Sequence, residues 1–134
     1  MEQDKSLTLE QINNASKKVK SGADFPQFVH DLKQMSITHY DTYVADGRTT
    51  YYGAHTAVHA DPKYASLPVN TNSSAQKLKH AISIHQQGQT DYPTFCRQAA
   101  DAGVEKWTTD MLAMTVTYLD QKGNALTVEP IPHV

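Results

Sequence analysis

The sequence holds a single cysteine, so no intrachain disulfide is available and no paired-cysteine metal site can form. Glycine and proline number six each in 134 residues, too few for a fibrous or collagen-like chain. An excess of one charge is also missing: 12 Lys+Arg stand against 14 Asp+Glu, a formal net charge of -2. A dedicated phosphate-backbone binder carries a basic face, so no nucleic-acid partner is expected. No run nears the roughly 20 apolar residues that cross a bilayer. The first residues, Met1 to Gln11, are polar and acidic where a secretory leader needs a basic start and an apolar stretch. The expectation is a soluble, cytoplasmic protein without membrane contact. What is present, 39% hydrophobic and 19% charged residues, suits one ordinary globular domain.

The most informative feature is an internal echo. Asp24-Phe25-Pro26-Gln27-Phe28 returns as Asp91-Tyr92-Pro93-Thr94-Phe95, an offset of 67. The same offset sets Ile37 on Val104, Tyr40 on Trp107, Thr42 on Thr109, Val44 on Met111 and Tyr51 on Tyr118. Upstream, an offset of 66 sets Ile12 on Leu78, Ala15 on Ala81 and Gly22 on Gly88. The order of the punctuation, more than the number of identities, points to an internal duplication, approximately residues 8–60 and 74–132, joined by a polar connection at 61–73.

Each half reads alike. Thr8 in one half, and Ser74 or Ala75 in the other, opens a helix whose apolar stripe is Leu9, Ile12, Ala15 and Val19 in the first, and Leu78, Ala81, Ile82 and His85 in the second. Asp24 and Asp91 can cap a second helix, with Pro26 and Pro93 in the first turn, where a missing N–H costs nothing. The period then changes to two: Ile37–Val44 and Val104–Met111 read as strands. Asp46-Gly47 marks a hairpin returning through Thr49–Tyr52. In the second half Leu112, Met114, Val116 and Tyr118 alternate, and a turn at 120–124 leads to a last strand, Ala125–Glu129. Residues Tyr51 to Ala60 read as strand and loop. The fold class expected is α+β: two sequence-related helix-helix-strand-strand halves, helices packed on antiparallel sheet, with the two sheets or helix layers packed together to enlarge the core.

The runs His85-Gln86-Gln87-Gly88-Gln89-Thr90-Asp91-Tyr92, Lys106-Trp107, Gly123-Asn124 and Val128-Glu129-Pro130-Ile131-Pro132, with His39-Tyr40-Asp41-Thr42-Tyr43 in the first half, resemble the YbcV-like family over nearly the whole chain. That resemblance implies a bacterial family whose members often carry the label "phage envelope protein-like" and of which some sit in prophage regions. It implies no catalytic residues.

The side chains capable of chemistry are scattered. His55 and His59 are four apart, but on strand or loop their side chains lie about 13 Å from each other, so no metal is expected. His85 sits where the first half has Val19; it is either a partly buried histidine near a helix C-terminus or a base beside Asp91 and Tyr92. Cys96 replaces Val29: either a small buried hydrophobe, or a nucleophile if His85 or a helix N-terminus lowers its pKa. Asp41 and Asp110 have no local explanation. Alternation forbids Tyr40 and Tyr43, or Tyr51 and Tyr52, from both facing a core, so two of the four face outward, where tyrosine is a common interface anchor. The favoured function is therefore a non-enzymatic binding or interaction protein that self-associates as a homodimer, with Tyr43, Tyr52 and Tyr92 as candidate contacts and no cofactor. The alternative is a small enzyme or ligand-binding domain with a pocket near His85, Asp91, Tyr92 and Cys96.

Overall fold

A computed structural model describes residues 9–19, 24–54 and 56–132. Among them the chain forms helices α1 (Leu9–Ser16) and α2 (Phe25–Gln34), then strands β1 (Ile37–Tyr43), β2 (Thr49–Gly53) and β3 (Ala57–Ala60). Helices α3 (Ala75–Gln86) and α4 (Tyr92–Asp101) follow, then β4 (Val104–Asp110), β5 (Thr115–Asp120) and β6 (Ala125–Pro130). The fold is α+β, and the order helix-helix-strand-strand-strand occurs twice. No described helix is long and apolar enough to cross a membrane. Thr8, Gly22, His55 and His133 lie outside the described residues.

All six strands belong to one antiparallel sheet in the order β3-β2-β1-β4-β5-β6. The halves therefore join edge to edge, and the expectation of two sheets packed on one another is corrected. Pairing β1 with β4 satisfies the backbone groups of two strands that would otherwise be exposed edges. The centre of that pairing is Asp41 opposite Thr108, themselves 67 residues apart. A third strand in the first half, β3, was hidden because Ala57 to Ala60 is short and partly polar. In the second half, Leu112 to Met114 leave the strand: Asp110 Oδ1 accepts the N–H of Leu112 at 2.9 Å and of Ala113 at 3.0 Å, closing a turn. Asp110 is thereby explained, and Leu112 is 78% exposed.

Local chemistry sets the helix ends. Ser74 accepts from Lys77 N at 3.1 Å, and Asp91 Oδ1 accepts from Thr94 N at 2.9 Å. Asp24 differs. Its backbone is already helical (φ -89°, ψ -5°), so its side chain makes no capping hydrogen bond. The helices pack on one face of the sheet. The core joins Ile12, Phe28, Val29 and Leu32 to Leu78, Ile82, Phe95 and Cys96, over Tyr40, Tyr51, Trp107 and Tyr118 from the strands. Phe28 meets Tyr40 edge-on at 6.2 Å, and Phe95 lies 5.6 Å from Trp107, which lies 5.7 Å from Tyr118. Burial pushes the Tyr51 phenol up to about 12 and those of Tyr40 and Tyr118 higher.

The connection 61–74 contains no helix or strand and is tied down at both ends. Lys63 N donates to Asp46 O and Leu67 N to Ala45 O; further on, Asn70 N donates to Ala100 O and Ser74 N to Ala102 O. Two glycines make room for it. A Cβ on Gly47 (φ 77°) would stand 2.8 Å from the Tyr64 ring, and one on Gly103 (φ 89°) 2.6 Å from Ser73 Cα.

Candidate functional site

The strand alternation that sends Tyr40 and Tyr51 inward sends Tyr43 and Tyr52 to the opposite face, where no described helix packs. The register arranges that outer face in three rows. The first runs Ala57, Tyr52, His39, Asp110, Thr115, Pro130; the second His59, Thr50, Asp41, Thr108, Thr117, Val128. The third begins with Arg48, just before β2, and continues through Tyr43, Lys106 and Leu119. Most of these side chains are half-buried by their neighbours on the sheet, and Val128 is 52% exposed.

The rows are held by specific contacts. The His39 ring stacks on Tyr52 at 4.5 Å with 12° between planes. Thr108 Oγ1 donates to Asp41 Oδ1 at 2.6 Å, and Lys106 Nζ lies 3.6 Å from Asp41 Oδ2, so Asp41 is held by two residues of β4. Arg48 lies 4.4 Å and Lys106 5.6 Å from the centroid of the Tyr43 ring. Thr50 and His59 share a 3.0 Å hydrogen bond. The face is thus an ordered surface: Tyr43, Lys106 and Arg48, paired with Asp46, in the third row, Asp41 among threonines in the second, and Tyr52, His39 and Asp110 in the first.

The remaining candidates lie on the helix side of the sheet. His85 Nδ1 donates to Thr90 O at 3.0 Å, and its ring stacks on Phe95 at 4.7 Å, which fixes it as part of the α3–α4 corner. Asp91 is engaged as a helix cap, and its hydrogen bonds from Thr94 hold the carboxyl below its ordinary range. Tyr92 is 45% exposed as a residue, yet its hydroxyl end turns inward beside Cys96, where burial pushes the phenol up. Cys96 has no exposed surface. Burial raises its thiol, while hydrogen-bonding contacts with Tyr64 and Tyr92 pull the other way without reversing the shift. A nucleophilic cysteine requires the opposite shift and access to solvent. The structure therefore brings Tyr92 to Cys96 but supplies neither activation nor an opening. Tyr64, whose hydroxyl donates to Val44 O at 2.6 Å, is the member of this cluster that sequence reasoning missed. It sits in the irregular connection, where periodicity carries no signal.

Tyr43 and Tyr52 share one face and Tyr92 lies on the other side of the sheet, so the three do not form one contact surface. No group of three His, Cys, Asp or Glu side chains among the described residues is placed to hold a metal ion. A shallow cleft of about 310 Å³ between α3 and α4 is lined by Lys77, His80, Arg97 and Asp101, away from the sheet's outer face.

Residues 13–130 match the family described as "Protein of unknown function (DUF1398)". This chain belongs to the DUF1398 family. It is 30% identical over 94 residues to the "Uncharacterized protein YcgX" of Escherichia coli (strain K12), covering 69% of this chain and 70% of that protein. Neither description carries the phage label of the YbcV-like resemblance, and neither names a substrate or a partner. For this DUF1398 chain the fold and the open sheet face are therefore the basis on which a function is argued.

Proposed function

We propose that this DUF1398 chain is a non-enzymatic interaction protein whose contact surface is the outer face of the sheet. One observation carries the reading: a six-stranded sheet covered by helices on one side leaves the other uncovered, with half-buried tyrosines set among paired charges. Antiparallel sheets tolerate one solvated face, which then alternates polar residues with few large apolar ones. Here that face holds Tyr43, Tyr52, Leu119 and Val128. Tyrosine combines a large contact area with two side-chain torsions, so burying it against a partner loses little entropy. In this proposal the two halves are diverged copies of one unit, and joining them edge to edge is what widens the face to six strands. A phage setting for the partner rests on the YbcV-like resemblance alone.

The test places a photo-reactive p-benzoylphenylalanine at Tyr52 on the sheet face, or at Lys79 on the exposed side of α3, and irradiates cells producing each variant. A discrete covalent adduct from position 52 and none from position 79 is the expected result. Equal labelling from both positions, or none from position 52, overturns the proposal.

A further inference from the structure

The cations of the outer face gather at one end of the strands, although each is also paired within the chain, Arg48 with Asp46 at 3.7 Å and Lys106 with Asp41 at 3.6 Å. Arg48 and Lys106 lie in the third row, while Asp110 lies in the first. Four residues of strand separate those rows, about 13 Å. A sheet face with a cationic end and an anionic end is complementary to its own copy turned end for end. We infer that the occupant of the face is a second copy of this chain, packed sheet to sheet about a twofold axis that lies between the sheets, perpendicular to the strands and over the Asp41–Thr108 row. The inference rests on the interaction-face reading and names the partner.

That axis maps each strand onto itself and exchanges the first and third rows. Lys106 of one copy then faces Asp110 of the other, twice in the dimer. Arg48 faces Tyr52, whose ring is held in place by its stack on His39. The alternative twofold, parallel to the strands, sets like end on like end and faces neither cation with a carboxylate. Strands of the two sheets stay nearly aligned in the end-for-end arrangement, the usual geometry of face-to-face packing.

The middle row meets its own copy, which brings Asp41 toward Asp41. Its carboxylate is already bonded by Thr108 and paired with Lys106, and only 14% of the side chain is exposed. The charge is thus neutralised within each copy before association. Six strands at about 4.8 Å spacing and three rows of outward residues span roughly 500 Å² in projection. Specific interfaces bury about 800 Å² of accessible surface per partner, so this face lies at the small end of that class. A dimer of micromolar affinity is the expectation.

Sedimentation velocity of the full chain at 2 and 200 µM reads the association directly. The weight-average mass should rise from one 14.9 kDa protomer toward twice that value across this range. Lys106→Glu and Asp110→Lys each set like charges against one another in both contacts, and each should weaken the dimer at least tenfold. Mixed together, the two variants set the introduced glutamate against the introduced lysine in one contact and leave Lys106 with Asp110 in the other. Because Lys106→Glu also strips Asp41 of its cation in one copy, the mixture should form clearly more dimer than either variant alone without reaching the level of the original chain. A loss of fold in either variant would not be rescued by mixing, so recovery separates contact from misfolding; Asp110→Asn, which keeps an acceptor for the turn, gives a second measure of the lost charge.

A chain that stays monomeric at 200 µM overturns the inference. So does a dimer indifferent to both substitutions, or a mixture that does not recover. These failures are distinct from failure of the interaction-face reading. A monomeric chain whose Tyr52 position still yields an adduct of another mass leaves that reading standing with a different partner. A chain without any adduct from Tyr52 removes both.

Discussion

The two halves meet the same backbone demand with different residues. Left-handed backbone occurs at Ser36 (φ 65°) and Gly103 (φ 89°), and at Gly47 (φ 77°) and Met114 (φ 58°). Each pair is separated by 67 residues, and β1 and β4 share the same order of buried and half-buried positions. Within these two pairs glycine stands where the connection crosses; Gly88 and Gly123 are left-handed too, with open space around them. At Gly47 and Gly103 a Cβ would strike Tyr64 or Ser73, whereas Ser36 is exposed and Met114 is half-buried. Positive φ by itself costs a non-glycine residue about 1–2 kcal/mol and is tolerated. Steric closure by a passing chain is what makes glycine obligatory.

The largest expected effect follows from that distinction. Gly103→Ala combines a left-handed alanine with a Cβ only 2.6 Å from Ser73 Cα, and should destabilise the fold by about 3 kcal/mol in urea unfolding. Ser36→Gly, at the matching position, should be neutral or stabilising by about 0.5 kcal/mol, because the relief of strain slightly exceeds the entropy added to the unfolded chain. Equal losses at both positions would break the comparison.

A smaller effect is expected where the halves differ in the core. Cys96 occupies the position of Val29, and both have no exposed surface. Cys96→Val should cost about 1 kcal/mol, since the thiol's contacts with Tyr64 and Tyr92 are lost while Tyr64 keeps its bond to Val44 O. The same burial predicts a thiol that stays unreactive toward a neutral-pH disulfide reagent until the chain unfolds. Rapid labelling of the native chain would show that the helix side opens where the first half is closed.

The third difference is electrostatic. Asp120 Oδ1 accepts the N–H of Lys122 and of Asn124, both at 2.9 Å, and Oδ2 lies 3.4 Å from Ser73 Oγ. The backbone hydrogen bond from Asn124 leads in holding this carboxyl below its ordinary value. A folded pKa below the unfolded one gives stability that is present above the unfolded value, about 3.9, and fades as pH falls through the folded one. The first half has Gly53 at the matching position and no such group. Amide exchange between pH 5 and 2 should therefore accelerate at the 120–124 turn before it does at Gly53, whose N–H donates to Thr56 O, and Asp120→Asn should remove that acid-dependent step.

Much of the arrangement was legible in the residues. Alternation placed Tyr40 and Tyr51 inward and Tyr43 and Tyr52 outward, and the repeated Asp-aromatic-Pro marked the second helix of each half. Hydrophobic period and turn chemistry act over a few residues, so a linear pattern reports them directly. The capping role of Asp24 was not legible in this way, because it depends on one backbone angle rather than on residue type. Nor was the end of the β4 strand: Leu112 and Met114 continue an apolar alternation, yet Asp110 closes a turn around them.

The sequence by itself determined the four helices, most of the strands and the faces they bury, because each follows from local spacing. Tertiary structure alone decided that β1 pairs with β4, since hydrogen bonds between strands 67 residues apart leave no mark on either strand's own pattern. That single pairing makes one sheet of two halves. It brings Lys106 and Thr108 to Asp41, and it opens one continuous face opposite the helices.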